Sequence, residues 1–327
     1  MRFRNNWIDA KVSAIEDKAN NVRQITLKPI DGAEPFTVGS HIDVSVIIND
    51  KPEIRSYSLI GTQATEGAYT IAVKRLEASR GGSKYMWTLE VDNQIKISQP
   101  SNHFELNYGV SDYLLIAGGI GITPLVGMAE EIKKKNQATV NMIYVGVNPA
   151  EMPYIDRLKA VLGNNLHLHF SDIDGLYEVN RIFELANKNT GVYLCGPLGF
   201  MNAIRKAWEN SSFENTNLRY ETFGASGLFA PQTFKVKLPR FNREIEVAEN
   251  QSMLKALEEA GIDVMYDCQK GECGLCQVNI LECTGDIDHR DFFFSEKQKK
   301  QNKKMCACVS RVANGDLVID TSYRGKV

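Results

Sequence analysis

The sequence has 327 residues, more than one ordinary hydrophobic core organises, so two or three domains are expected. Its 38 lysines and arginines nearly balance 40 aspartates and glutamates, which argues against the strongly basic face of a nucleic-acid binder. The seven cysteines are an odd set for a disulfide scaffold, and the longest apolar stretch, 114–129, is cut by Gly118, Gly119, Gly121 and Pro124, too broken for a membrane span. The opening Met-Arg-Phe-Arg-Asn-Asn-Trp-Ile is charged and lacks the apolar segment of a secretory signal, so the expected compartment is the reducing cytoplasm.

In chain order, residues 1–107 read as a small antiparallel β-barrel. Runs rich in β-branched residues at 8–15, 22–27, 41–47, 56–59, 69–73 and 94–98 are separated by turn pairs such as Asp31-Gly32, Asn49-Asp50 and Glu66-Gly67. Residues 108–225 change character. Strand-like runs at 113–117, 140–145, 166–170 and 192–194 alternate with helical stretches at 124–135 and near 150–161, 178–187 and 198–209, the pattern of a parallel sheet covered by helices. Small residues and proline at 226–232 mark a linker. Beyond it, 233–327 forms a third domain, which opens with a hairpin at 233–238 and 244–247 and a helix at 253–260 stopped by Gly261.

The strongest motif follows that helix: Cys268-Gln-Lys-Gly-Glu-Cys273-Gly-Leu-Cys276, with further cysteines about thirty residues on. The spacing C-x4-C-x2-C is that of a plant-type 2Fe-2S cluster, and Gly271 and Gly274 suit a loop whose backbone must come close to the cluster. A zinc site is the alternative, but such sites commonly use two C-x2-C pairs or add histidine, and this loop contains none. The last ligand lies in Met305-Cys-Ala-Cys-Val-Ser-Arg311, where Cys306 and Cys308 stand two apart and point to one face of an extended segment. Geometry leaves that choice open.

Two other regions carry ligand-binding patterns. Arg55-Ser56-Tyr57-Ser58 offers a guanidinium for phosphate and a ring for a flat heterocycle. Ala72-Val73-Lys74 and Arg80-Gly81-Gly82-Ser83 follow, the latter either an anion-binding nest or an ordinary glycine turn. Between a strand and a helix stands Gly118-Gly119-Ile-Gly121-Ile-Thr123-Pro124, whose glycines admit a ligand close to the backbone although the third glycine of the Rossmann fingerprint is missing. Thr123 is expected to point its hydroxyl toward the space between the first two domains. Cys195-Gly196-Pro197 ends another strand on the same carboxyl edge, where ligands of open α/β sheets bind, although a lone buried cysteine is more often structural. Phe223 reads as core by itself.

Together these motifs resemble the phthalate dioxygenase reductases and their demethylase-reductase relatives, carried by Cys308-Val-Ser-Arg311, Asp288-His-Arg-Asp291 and Leu317-Val-Ile-Asp320. The resemblance spans about 7–320. It implies a multidomain chain: an antiparallel flavin-binding barrel, a parallel-sheet nucleotide-binding α/β domain and a C-terminal plant-type ferredoxin domain of β-grasp fold. It also implies Cys268, Cys273, Cys276 and Cys308 as cluster ligands. Arg55, Ser56, Tyr57, Ser58, Ala72, Val73, Lys74, Arg80, Gly81, Gly82 and Ser83 would hold the flavin, FMN rather than FAD. Gly118, Gly119, Gly121, Thr123, Pro124, Cys195, Gly196 and Pro197 would lie on the nicotinamide side, with Thr123, Cys195 and Phe223 nearest the chemistry and Phe223 over one flavin face. The implied function is that of the reductase component of a two-component Rieske oxygenase, with NADH as donor and the terminal oxygenase as partner. A reductase of a free ferredoxin or cytochrome is the alternative, and a non-catalytic redox sensor would not need the flavin and nucleotide motifs. One departure stands out: where the family commonly carries an arginine, Tyr144-Val-Gly-Val-Asn148 has Val147. The run from Glu296 to Lys304, rich in lysine, is either a solvated surface or a steering patch for an acidic partner.

Overall fold

Alternation of apolar and polar residues places β1 (Trp7–Ala19), β2 (Val22–Pro29), β3 (Ser40–Ile48), β4 (Lys51–Ser58), β5 (Tyr69–Lys74), β6 (Gln94–Ser98) and β7 (Ser101–Asn102) in one antiparallel sheet. Its order is β4-β3-β6-β1-β2-β5, with β7 beside β3. Just past β4, the Ile60 N–H donates to Thr70 O of β5 at 2.9 Å, joining the two ends of the sheet into a barrel. Val12, Ile25, Leu27, Ile42, Val44, Ile71, Val73 and Ile97 fill its interior with Met86, which belongs to the short helix α1 (Gly82–Trp87). Each such side chain contributes roughly 1.5–3 kcal/mol by leaving water. The computed structural model describes residues 7–77, 79, 81–135, 138–223, 229, 231–249 and 251–321.

Two expectations shift here. The strand expected at 56–59 begins already at Lys51, because Asn49 and Asp50 both take positive φ (50° and 60°) and close a tight hairpin in which Ile48 faces Lys51. The Gly81-Gly82-Ser83 stretch is not an open turn. It starts α1, with Gly81 as the residue before the helix.

β8 (Asp112–Gly118), α2 (Thr123–Lys135), β9 (Thr139–Gly146), α3 (Ile155–Leu162) and β10 (Leu166–Phe170) alternate as expected. After the one-turn helices α4 (Ser171–Asp174) and α5 (Ile182–Leu185) come β11 (Gly191–Cys195), α6 (Leu198–Glu209) and β12 (Leu218–Glu221). All pairings are parallel, in the order β10-β9-β8-β11-β12. The helix expected near 150–161 starts only at Ile155, after Pro153 and a left-handed Tyr154 (φ 67°). The one expected near 178–187 is reduced to a 3-10 turn and α5. Barrel and sheet share a core in which Val22, Val38, Ile60 and Phe104 join Leu115, Leu125 and Met128.

The chain divides at Glu221 and Thr222 into two compact units. In the second, β13 (Phe234–Leu238) and β14 (Arg243–Val247) form the expected hairpin, and α7 (Met253–Glu259) starts at Ser252, whose side chain accepts from the Lys255 N–H at 3.2 Å. β15 (Gln277–Cys283), β16 (Asp286–Asp288), α8 (Glu296–Lys300), β17 (Lys304–Cys306), β18 (Arg311–Ala313) and β19 (Leu317–Thr321) complete it. The main sheet runs β14-β13-β19-β15-β17, mixed because β13 lies parallel to β19, and β16 pairs with β18. Val236, Val278, Leu317 and Ile319 of the sheet pack with Met253, Leu254 and Leu257 of α7, a helix laid on a mixed sheet.

Of the expected linker, residues 226–228 and 230 lie outside the described residues. The carbonyls of Phe229 and Gln232 accept from the guanidinium groups of Arg290 (3.1 Å) and Arg311 (2.8 Å), anchoring the entry to β13. Among the described residues no helix is long and apolar enough to cross a membrane.

Candidate functional site

At the barrel end, β4 delivers Arg55, Ser56, Tyr57 and Ser58 to one edge. A Cβ on Gly82 would sit 2.7 Å from Arg55 Nε, so only glycine lets this guanidinium lie against the start of α1. The two motifs are thereby brought together. Arg55 Nη1 also donates to Glu53 Oε2 at 3.0 Å and to Ile54 O at 2.8 Å. Ser56 Oγ meets Asp43 Oδ1 at 2.5 Å, and Ser83 Oγ accepts from the Leu76 N–H at 3.3 Å. Burial pushes the Tyr57 phenol well above its ordinary pKa, so its ring is a neutral surface. Ala72 and Val73 are buried on β5, and Val73 O accepts from Trp87 Nε1 of α1 at 3.1 Å. Lys74 reaches Glu151, 3.4 Å away in the parallel-sheet half. Arg80 lies outside the described residues.

The strand order of the parallel sheet reverses between β8 and β11, and their carboxyl ends carry the glycine motif and Cys195-Gly196-Pro197. The two loops touch. A Cβ on Gly121 would fall 2.3 Å from Cys195 O, and one on Gly118 would fall 2.6 Å from Pro197 Cδ. Gly119 belongs to a 3-10 turn, Gly119–Ile122, that runs straight into α2, with Thr123 and Pro124 buried in its first turn. The Thr123 hydroxyl donates to Ile120 O at 3.1 Å, so it secures the glycine turn, where the sequence suggested a free hydroxyl between the domains. Cys195 is fully buried, and Val147, 46% exposed, stands just past the end of β9.

Glu221 is a site residue that sequence reasoning missed. It ends β12 directly beside Cys195 in the parallel register, is buried, and its Oε2 is 3.3 Å from Ser58 Oγ. That contact joins the barrel motif to the carboxyl edge of the sheet. The available signal was a carboxylate placed two residues before Phe223, inside an otherwise strand-like segment. The next residue, Thr222, is clamped by the cysteine loop: its N–H and hydroxyl donate to Glu272 Oε1 at 2.7 and 3.0 Å, and its hydroxyl lies 3.1 Å from Lys270 O. Phe223 follows, 39% exposed, and is therefore a presented ring and no core filler.

In the cysteine loop, Gly271 and Gly274 take positive φ (76° and 72°), and a Cβ on Gly274 would run into the Phe293 ring at 2.4 Å. The loop turns its N–H groups onto sulfur: those of Lys270, Glu272 and Cys273 each point at Cys268 Sγ at 3.4 Å. Cys276 Sγ lies 3.1 Å from Cys308 Sγ. The loop thus brings Cys273 to Cys268 through its N–H, and Cys276 to Cys308 sulfur to sulfur. The Cys268 thiol draws Cys273 down to about 6, and the thiols of Cys306 and Cys308 draw Cys276 down to about 4. Four cysteines gathered by one loop and the turn after β17, with N–H groups converging on Cys268 Sγ, fit a binuclear cluster, which takes two protein ligands per iron. Among the described residues no group of three His, Cys, Asp or Glu side chains is arranged for a single ion.

Behind the loop, Asp291 accepts from the Phe294 N–H (2.9 Å) and the Ser310 hydroxyl (3.2 Å), and Asp288 pairs with Arg290 at 2.7 Å in a buried layer. Arg311 donates to the Gln251, Gln232 and Ala248 carbonyls. The Asp-His-Arg-Asp and Val-Ser-Arg motifs therefore brace the loop from below.

Comparison with known proteins agrees with this layout. Residues 9–106 match the oxidoreductase FAD-binding domain, 115–206 the oxidoreductase NAD-binding domain, and 236–313 the 2Fe-2S iron-sulfur cluster binding domain. The chain is 31% identical to the vanillate O-demethylase oxidoreductase of Pseudomonas sp. (strain HR199 / DSM 7063), over 96% of this chain and 99% of the other. It is 30% identical to the heme-dependent oxidative N-demethylase beta subunit of Ectopseudomonas mendocina (strain ymp), over 96% and 98%. Among solved structures, phthalate dioxygenase reductase, described as a modular structure for electron transfer from pyridine nucleotides to a 2Fe-2S centre, superposes with a TM-score of 0.78 at 27% identity, covering 96% of this chain and 98% of that one.

Proposed function

Because this chain belongs to the phthalate dioxygenase reductase family of flavin and 2Fe-2S oxidoreductases, we propose that it is the NADH-oxidising reductase of a two-component Rieske oxygenase or demethylase, working in the cytoplasm. The observation that carries this reading is the order of three modules in one chain, each with its motif at a structurally prepared edge. When bound, flavin supplies acceptance of an electron pair and its release one electron at a time, and the 2Fe-2S cluster supplies a one-electron relay.

The residues supply position. Arg55 and the start of α1 would hold the flavin phosphate, while Tyr57 and the buried Ala72 and Val73 would bound its ring. We assign FMN, since the Arg-Gly-Gly-Ser stretch suits a terminal phosphate and the barrel shows no adenylate motif, although the matching domain model is named for FAD. Gly118, Gly119, Gly121, Pro124, Gly196 and Pro197 would admit the nucleotide at the sheet edge, with Cys195, Glu221 and Ser58 lining the nicotinamide end and Thr123 fixing the turn. Phe223 would cover the exposed flavin face until nicotinamide replaces it. Cys268, Cys273, Cys276 and Cys308 would bind the cluster.

The heme-dependent demethylase relative favours a second reading in which the terminal acceptor is a heme protein. Heat-released cofactor run against standards, followed by reduction assays with a purified Rieske oxygenase and a heme demethylase, tests the proposal. FMN and faster Rieske reduction are expected. Recovery of FAD overturns the phosphate reading, and faster heme reduction overturns the Rieske assignment.

A further inference from the structure

We propose that Glu272 is a positioning residue for flavin reduction: its carboxylate fixes Thr222 and so aims the ring of Phe223, the next residue in the chain. The inference rests on the function proposed above, in which Phe223 covers the flavin face until nicotinamide replaces it.

The chain leaves β12 at Glu221, and Thr222 opens the compact unit that holds the cysteine loop. A residue just past a strand end keeps its backbone freedom unless something holds it, and passes that freedom to the residue after it. Thr222 is 3% exposed and held twice. Its N–H donates to Glu272 Oε1 at 2.7 Å, and its hydroxyl lies 3.0 Å from the same oxygen and 3.1 Å from Lys270 O. A carboxylate makes the stronger kind of acceptor. Both anchoring residues are fixed in turn, because the N–H groups of Lys270 and Glu272 point at Cys268 Sγ at 3.4 Å. Gly271 between them is seated so closely that a Cβ would fall 2.9 Å from Asp291 Cα, and its carbonyl accepts from the Phe292 and Phe293 N–H groups at 2.9 and 3.1 Å. The wrap of the loop onto Cys268 therefore sets both acceptors, and Phe223, 39% exposed, starts from the residue they hold.

Glu272 exchanges no proton or electron in the reaction. It acts by placement, and a misplacement on the order of 1 Å can cost about 10²-fold in rate. The alternative is a tie that only steadies the loop, which would alter cluster content and stability but leave the rate of flavin reduction alone. Substitution separates the two: Glu272→Ala removes the acceptor, whereas Glu272→Gln keeps a carbonyl oxygen for both donors.

The test is anaerobic rapid mixing of holoprotein variants with NADH, reading the limiting rate of flavin reduction and its dependence on NADH concentration. In Glu272→Ala the limiting rate is expected to fall roughly tenfold, with NADH affinity little changed and the paramagnetic signal of the reduced cluster intact, and Glu272→Gln is expected to stay close to the wild type. In a Phe223→Ala background Glu272→Ala is expected to add no further fall, since the ring it acts through is gone. A wild-type rate in Glu272→Ala, a fall as large in Glu272→Gln, or a further tenfold fall in the Phe223→Ala background overturns the proposal. Should Glu272→Ala assemble no cluster, Thr222→Val decides, because it removes one of the two donors and leaves the loop residues unchanged: a rate about threefold lower supports the proposal, and a wild-type rate overturns it. Wild-type flavin reduction in Phe223→Ala alone overturns the reading of Phe223 on which the proposal rests.

Discussion

At the scale of single residues, the cysteine spacing alone was enough to point to a cluster, whereas the choice between Cys306 and Cys308 was not legible, because residues two apart share a face. The fold adds a turn after Cys306 that swings Cys308 onto Cys276. Cys308→Ser is therefore expected to prevent assembly of a normal cluster, and Cys306→Ser to leave one in place, as read from iron content and the visible spectrum. Glu221 was hidden for a different reason: its importance comes from Ser58, far away in sequence and brought near only by the packing of barrel on sheet. Asp291 gives a stability prediction. Burial works against its carboxylate, but His289, the Phe294 N–H and Lys299 hold its pKa below the ordinary 3.8. A lowered folded pKa means stability present above the unfolded value and lost as pH falls through the folded one. Asp291→Asn should cost about 1.5–3 kcal/mol near neutrality. In denaturant titrations the gap from wild type should narrow below pH 3.8, and a gap independent of pH would contradict this account.

Among elements, the parallel strands and the long helices α2 and α6 were readable because apolar runs alternated cleanly with helical stretches. The start of α1 was not, since Gly81-Gly82 has poor helix propensity and only contact with Arg55 and the barrel core reveals why a helix begins there. The short α5 lost its expected length to a 3-10 turn. The contact between the glycine turn and the Cys195 loop is the element-level feature most open to test. Gly121→Ala puts a methyl 2.3 Å from Cys195 O, so the loops must separate. Flavin reduction by NADH is expected to slow by about two orders of magnitude, as for a misplaced substrate, with the visible spectrum of bound flavin and cluster retained. An unchanged rate would remove the switch-point crevice from the mechanism. α8 is a further case: Ser295 caps it through a capping box, and it carries Lys297, Lys299 and Lys300 on the connection to Cys308. Lys299 is drawn inward toward Glu296 and Phe292, whereas Lys297, Lys300, Lys303 and Lys304 are exposed, Lys304 with its ammonium 3.1 Å from Gln277 Oε1. If these steer an acidic partner, Lys297, Lys300 and Lys303 to Gln should flatten the ionic-strength dependence of oxygenase reduction without affecting a small artificial acceptor. An unchanged slope leaves them a solubility role.

For the molecule as a whole, three successive composition patterns in the sequence corresponded to a barrel, a parallel sheet and a mixed sheet with one helix. The strands after Cys276 went unread, because short strands separated by loops that brace a cluster carry little periodic signal. Donor choice belongs at this scale as well. No arginine or lysine stands at 145–148, so NADH is expected to give a higher kcat/KM than NADPH, and equal values would refute that reading. The central claim is that one chain carries electrons from nicotinamide through flavin to its own iron-sulfur centre. Its most direct test is anaerobic rapid mixing of the holoprotein with NADH, following flavin absorbance and the paramagnetic signal of the reduced cluster in the same samples. The account predicts flavin bleaching followed by cluster reduction within a single turnover, at a rate independent of protein concentration. A cluster that stays oxidised after the flavin has been reduced, or that is reduced only in proportion to protein concentration, would contradict it.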